Sequence, residues 1–120
     1  MPFSQQQRPL YEVKAGLFKG LSHPFRIRIL ELLSSADEMS VAELQAATGL
    51  EASHLSQHLL VLRRHRLVQS ERRASHVFYR LSDRRVAELL SVARALLLGV
   101  IAADRELLED AESLPALPAS

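Results

Sequence analysis

The stretch VAELQAATGLEASHLSQHLLVLRRHR, residues 41–66, constrains this chain more than any other part of it. Ser40 and Glu43 stand three apart at its start. A serine there can accept from the third helical amide while the glutamate reaches back to the serine N–H, a reciprocal helix start. Gly49 stops that helix after two turns, and a second helix follows at once. A short capped helix, a glycine break and a second helix have the spacing of a helix-turn-helix.

The second helix sorts its residues by face. At about 3.6 residues per turn, Leu55, Leu59 and Leu62 fall in one narrow arc and point to a core. Ser53, Gln57 and Arg64 lie opposite, with His54 and Ser56 beside them. Small serines let a helix approach closely, Gln can pair with adenine through two hydrogen bonds, and Arg63, Arg64 and Arg66 can reach phosphates, as on a helix in a DNA major groove. His54 and His58, four apart, are also the spacing of a metal pair. No acid and no third ligand accompany them, and His58 falls at the edge of the leucine arc, so packing accounts for it better. No nucleophile, base and orienting group are placed together, so no catalytic residue and no enzyme is expected.

Charge follows the same division. Between Ser53 and Arg85 stand eight arginines against Glu71 and Asp83, a net of +6, although the whole chain carries only +1. Five acids and no Lys or Arg occupy residues 31–51, and five acids against Arg105 occupy residues 104–112. A basic third between acidic flanks is the footprint of an anionic partner, although a solvated arginine surface accounts for the same count. There is no cysteine, which excludes disulfides and thiolate metal sites. The start, MPFSQQQRP, has no apolar segment of a secretory signal, and the longest uncharged apolar run, ALLLGVIAA, is nine residues, too short for a bilayer. A cytoplasmic protein without a membrane partner is expected.

Elsewhere the pattern is mainly helical. Leu10, Val13, Leu17 and Leu21 repeat at helical spacing after Pro9, and Phe25, Ile29, Leu32 and Leu33 do so after Pro24. ADEM, residues 36–39, reads as a loop. LVQSERR and ASHVFYRLS read as a two-stranded hairpin with its tip at Arg73-Ala74-Ser75. Ser82 is positioned to cap a long last helix over about 83–112, whose apolar surface is too wide for one small core. The expected organisation is a flexible segment over 1–8, one domain over 9–112 and a flexible tail over 113–120. The domain is mainly α with a small β-hairpin between the fourth and fifth helices, a winged helix-turn-helix.

LSHPFRIRILELL, VAELQAATGLEASHLSQHLLVLRRHRLV and SERRASHVFYRLS together resemble the ArsR/SmtB family of bacterial winged-helix repressors, over roughly residues 10–103. The resemblance implies a homodimer joined through the first and last helices, bound to double-stranded operator DNA until an inducer relieves repression. Its DNA-contacting positions fall on Ser53, His54, Ser56 and Gln57, with Arg72 and Arg73 on the wing, and Arg63 and Arg64 add phosphate contacts. The dimer seam is expected at Leu10, Leu17, Leu96, Leu97, Val100 and Ile101. The family's metal site on the last helix falls on Asp83, Arg85, Leu96 and Gly99, where only Asp83 can ligate, and its thiolate site needs cysteine. No metal, no cofactor and no particular inducer is therefore expected. A winged-helix module that binds an acidic protein instead of DNA is the alternative.

Overall fold

The computed structural model describes residues 8–104. Its elements run α1 (Leu10–Leu21), α2 (Pro24–Ser34), β1 (Met39–Ser40), α3 (Val41–Thr48), α4 (Ala52–Arg64), β2 (Val68–Arg73), β3 (His76–Leu81) and α5 (Arg85–Ala103). Most of the segment expected to be flexible over 1–8, the end of the domain expected over 9–112 and the tail expected over 113–120 lie outside the described residues.

The core is a leucine cluster where α2, α3 and α4 meet. Ile29, Leu30 and Leu33 from α2, Leu44 from α3, and Leu55, Leu59 and Leu62 from α4 are all buried, joined by Leu50 from the turn and Leu67 and Val68 from the start of the hairpin. Each such side chain contributes roughly 1.5–3 kcal/mol on burial. Leu30, which the helical spacing of α2 left out, is fully buried, while Phe25 and Leu32 pack at the margin.

Ser40 Oγ accepts from the Glu43 backbone N–H at 3.0 Å, and Glu43 Oε1 accepts from the Ser40 N–H at 2.8 Å, so the reciprocal start of α3 forms as its residues indicate. Gly49 ends α3 in the left-handed region at φ 72°, which only glycine adopts freely. Gly20, near the end of α1, has a different use. A Cβ there would lie 2.8 Å from His65 Cγ, so the missing side chain lets α1 close on the end of α4. His65 is half-buried against that helix.

The sheet has three strands in the order β1-β3-β2, not two. Met39 pairs with Tyr79 and Ser40 with Phe78, so part of the expected ADEM loop is an edge strand. The hairpin turns on Ala74 and Ser75, with Ala74 at φ 56°. Positive φ at the first central residue alone is the pattern of a II′ turn, which suits the twist of two paired strands.

The last helix departs from expectation at its start. Ser82 does not cap it: its hydroxyl donates to the Arg66 carbonyl at 2.6 Å, fastening the hairpin base to the end of α4. Asp83 Oδ1 accepts the Arg85 N–H at 2.8 Å instead. The helix is described through Ala103, with Asp104 extended, and the expected stretch from 105 to 112 lies outside the described residues. Val86, Leu89 and Leu90 pack against the core, and residues 91–100 are exposed throughout. By length and composition α5 is apolar enough to cross a membrane, because the whole helix counts and not only its nine-residue run.

Candidate nucleic-acid interface

The outward face of α4 is built by the inward one. Burial of Leu55, Leu59 and Leu62 fixes the rotation of the helix, and Ser53, His54, Ser56, Gln57, Arg63 and Arg64 are all exposed as a result. No Asp or Glu lies anywhere in α4, and Arg63 and Arg64 occupy its last turn, where the helix dipole favours cations. Leu60 is exposed on the side facing the hairpin and lines a groove with Val41, Ser56, Arg63, Val77 and Tyr79. The groove accounts for an apolar residue that the face analysis left without a role.

The wing is tied to α4 by Arg63, whose Nη1 donates to Ser70 Oγ at 3.2 Å. Ser70 and Arg72 share one face of β2, because alternate strand residues do. Arg72 therefore stands on the face that meets α4, paired in register with Val77. Arg73 stands on the other face. Its guanidinium bonds Glu38 and lies over the Phe78 ring at 3.9 Å from the centroid. Glu38 holds the Arg73 guanidinium above its ordinary pKa, chiefly through that hydrogen bond. The two wing arginines thus differ. No hydrogen bond or ion pair occupies the Arg72 side chain among the described residues, and Arg73 has an internal acid. Nothing in the sequence signalled Glu38, which stands 35 residues away.

The expected dimer residues divide between core and surface. Leu10 is 67% exposed and Leu96 66%, and Leu97 and Val100 are more than half exposed. Leu17 packs at the core margin and Ile101 is half-buried. Asp83, the remaining metal-ligand candidate on α5, is taken up by Arg85: Oδ1 accepts from Nε at 3.0 Å and Oδ2 from Nη2 at 2.7 Å. That guanidinium holds the Asp83 carboxyl far below the usual carboxylate range. Among the described residues no three His, Asp or Glu side chains gather as a metal site would require.

A capped helix, a glycine turn, an acid-free outward helix and a basic β wing define a winged helix-turn-helix transcriptional regulator. Residues 23–70 match the model of the bacterial regulatory protein, arsR family. The HTH-type transcriptional regulator Rv0081 of Mycobacterium tuberculosis, itself uncharacterized, is 47% identical over 106 residues, 88% of this chain and 92% of that protein. The regulator YgaV of Escherichia coli is 37% identical over 83 residues, 69% of this chain and 84% of its own length. The crystal structure of Rv0081 superposes with a TM-score of 0.74, covering 81% of this chain and 97% of that one. The homodimeric winged helix-turn-helix domain Mb0332 of Mycobacterium bovis, 27% identical, superposes with a TM-score of 0.69 over 81% of this chain and 89% of its own. The chain belongs to the ArsR family of bacterial regulatory proteins.

Proposed function

We propose that this chain is a dimeric repressor that reads an inverted-repeat operator, acting by binding alone in the bacterial cytoplasm. The observation that carries the reading is the acid-free outward face of α4, with Arg72 on the adjoining face of the wing. Ser53, His54, Ser56 and Gln57 supply contacts to base edges, and Arg63, Arg64 and Arg72 supply contacts to phosphate. Arg73 joins them only by exchanging Glu38 for a phosphate oxygen. Two α5 helices and two α1 helices cover each other through Leu10, Leu17, Leu96, Leu97, Val100 and Ile101, which sets the two α4 helices at a half-site spacing. The apolar surface of α5 is on this reading a seam between copies and not a membrane span. The homodimeric state of Mb0332 and the repressors of the resembling family support it. The inducing signal is not a divalent metal on this reading, since Arg85, Leu96 and Gly99 stand where ligands would be needed.

The test begins by mapping bound fragments genome-wide and measuring affinity for the recovered operator. Log affinity falls with log salt at about −0.9 per phosphate contacted, for roughly six to ten contacts per dimer. Arg72→Ala weakens binding to operator and to mixed DNA alike and flattens that slope. Gln57→Ala instead loses about 1–3 kcal/mol of discrimination between them. Unchanged selectivity in Gln57→Ala would reject the face assignment. Failure to bind any duplex, with binding to an acidic protein retained, would favour the protein-interaction module.

A further inference from the structure

Two histidines that the DNA-facing set does not use meet where α2 begins. His23 is the N-cap of α2, and its Nδ1 accepts the Phe25 backbone N–H at 3.1 Å. That bond needs the Nδ1 lone pair, and so an Nδ1 that carries no proton. The His58 ring, on α4, lies 4.4 Å from the His23 ring between centroids, and the Phe25 ring lies 6.2 Å from that of His58. These three rings form the contact between the start of α2 and the middle of the outward helix.

The ionisable groups that act on His58 are all basic. The groups acting on His58 are His23 and Arg26 from the α2 side and His54 one turn earlier on α4. No carboxylate from any element of the fold is among the groups that act on it. Arg26 cannot swing clear, because Nε donates to the Gly20 carbonyl at 2.7 Å and Nη2 to that of Lys19 at 3.3 Å. Burial first, and then His23, Arg26 and His54, push the His58 imidazole below its ordinary value.

We propose that the His23–His58 contact is a positioning joint for the DNA-reading helix that closes only while both imidazoles are uncharged, so that mild acid loosens α4 from α2. The consequence for DNA rests on the role proposed for α4 above; the joint itself does not. The sign follows from His58. An imidazole with lowered proton affinity in the fold contributes its stabilisation fully above its unfolded value of about 6.5 and loses it as pH falls below that.

Two variants keep the contact and remove its titration. His58→Phe retains a ring against His23, and His23→Asn retains an N-cap acceptor. Backbone amide exchange of α4, corrected for intrinsic rates, is followed by NMR in the free protein from about pH 7.5 to about pH 5.5. The parent's α4 protection falls severalfold on acidification, by roughly fivefold or more. The double variant changes less than about twofold. In parallel, the affinity of the double variant for a mixed-sequence duplex of about 30 base pairs, relative to the parent, rises as pH falls. Parent protection that is flat with pH, or a double variant as acid-sensitive as the parent, overturns the joint. Should the double variant not fold, His58→Phe alone decides by the same comparison. Amides that behave as expected in a protein that binds no DNA at any pH would remove the proposed function and leave the joint in place.

Discussion

Arg66 shows how much a single residue tolerates where packing demands it. It follows α4 at φ 61°, in the left-handed region that costs a side-chain-bearing residue about 1–2 kcal/mol. The Leu67 N–H bonds the Leu62 carbonyl at 2.9 Å and the Arg66 N–H bonds that of Arg63 at 3.0 Å, a Schellman ending with arginine where glycine is usual. Leu62 and Leu67, both buried, close the motif with an apolar contact. The arginine keeps its charge on the basic surface at a cost in backbone strain. Arg66→Gly and Arg66→Ala remove the same charge, but only glycine relieves the backbone. The glycine variant should be the more stable of the two by about 1 kcal/mol in urea denaturation, and equal stabilities would rule out strain at this position. Ala74, at φ 56° in the hairpin turn, carries a second strain of the same kind.

Elements depend on how their ends are tied. Ser40 both caps α3 and belongs to β1, so one residue joins the helix-turn-helix to the sheet. Ser40→Ala removes the hydroxyl that accepts the Glu43 N–H, leaves the Ser40 N–H on the Glu43 carboxylate, and should lower stability by about 1 kcal/mol at neutral pH, measured by thermal or chemical unfolding. A pH signature accompanies it. The Ser40 N–H and hydroxyl hold the Glu43 carboxyl below its ordinary value. Stability from a carboxylate so depressed is present above its unfolded value, about 4.3, and is lost as pH falls through the folded one. The variant keeps the N–H and loses the hydroxyl, so it should lose somewhat less stability than the parent on acidification through that range; parallel acid curves would show that the Ser40 hydroxyl does not help to hold Glu43. The hairpin base is tied otherwise than expected, with the Ser82 hydroxyl on Arg66 and Asp83 at the start of α5. Ser and Asp in adjacent positions offer equivalent caps in sequence, and only the path of the chain after β3 chooses between them.

At the scale of the molecule the main feature is α5, anchored by Val86, Leu89 and Leu90 and otherwise exposed through residue 100. Val92, Leu96, Leu97, Leu98 and Val100 present more apolar surface than one chain of this size leaves in water without use. Leu97 is 58% exposed and outside the core cluster, so Leu97→Glu should leave the fold intact. In a dimer seam it would bury an unpaired charge at about 3–5 kcal/mol, a loss of several hundredfold or more in dimer affinity. Sedimentation of both proteins at about 10 µM should show a dimeric parent and a monomeric variant with parent-like circular dichroism. A monomeric parent at that concentration would end the dimer reading.

Local sequence determined the helices, the hairpin and the face of α4, because each is written in short-range terms: leucines one turn apart, a serine three before a glutamate, a glycine at a left-handed turn. The same terms placed Ser53, His54, Ser56, Gln57, Arg63 and Arg64 on an exposed face, since burial of three leucines leaves the helix no other rotation. Tertiary structure alone decided the rest. Met39 and Ser40 form a strand only because β3 offers a free edge, and two residues carry no alternation to read. Arg72 and Arg73 are indistinguishable as neighbours in sequence, yet strand alternation sends them to opposite faces and Glu38 takes up one of them. His23 reads as a loop or helix-start residue and His58 as a packed one, and only the docking of α2 on α4 sets their rings 4.4 Å apart. Contacts between residues far apart in the chain follow from how helices dock, and docking is settled by the shape of the whole core.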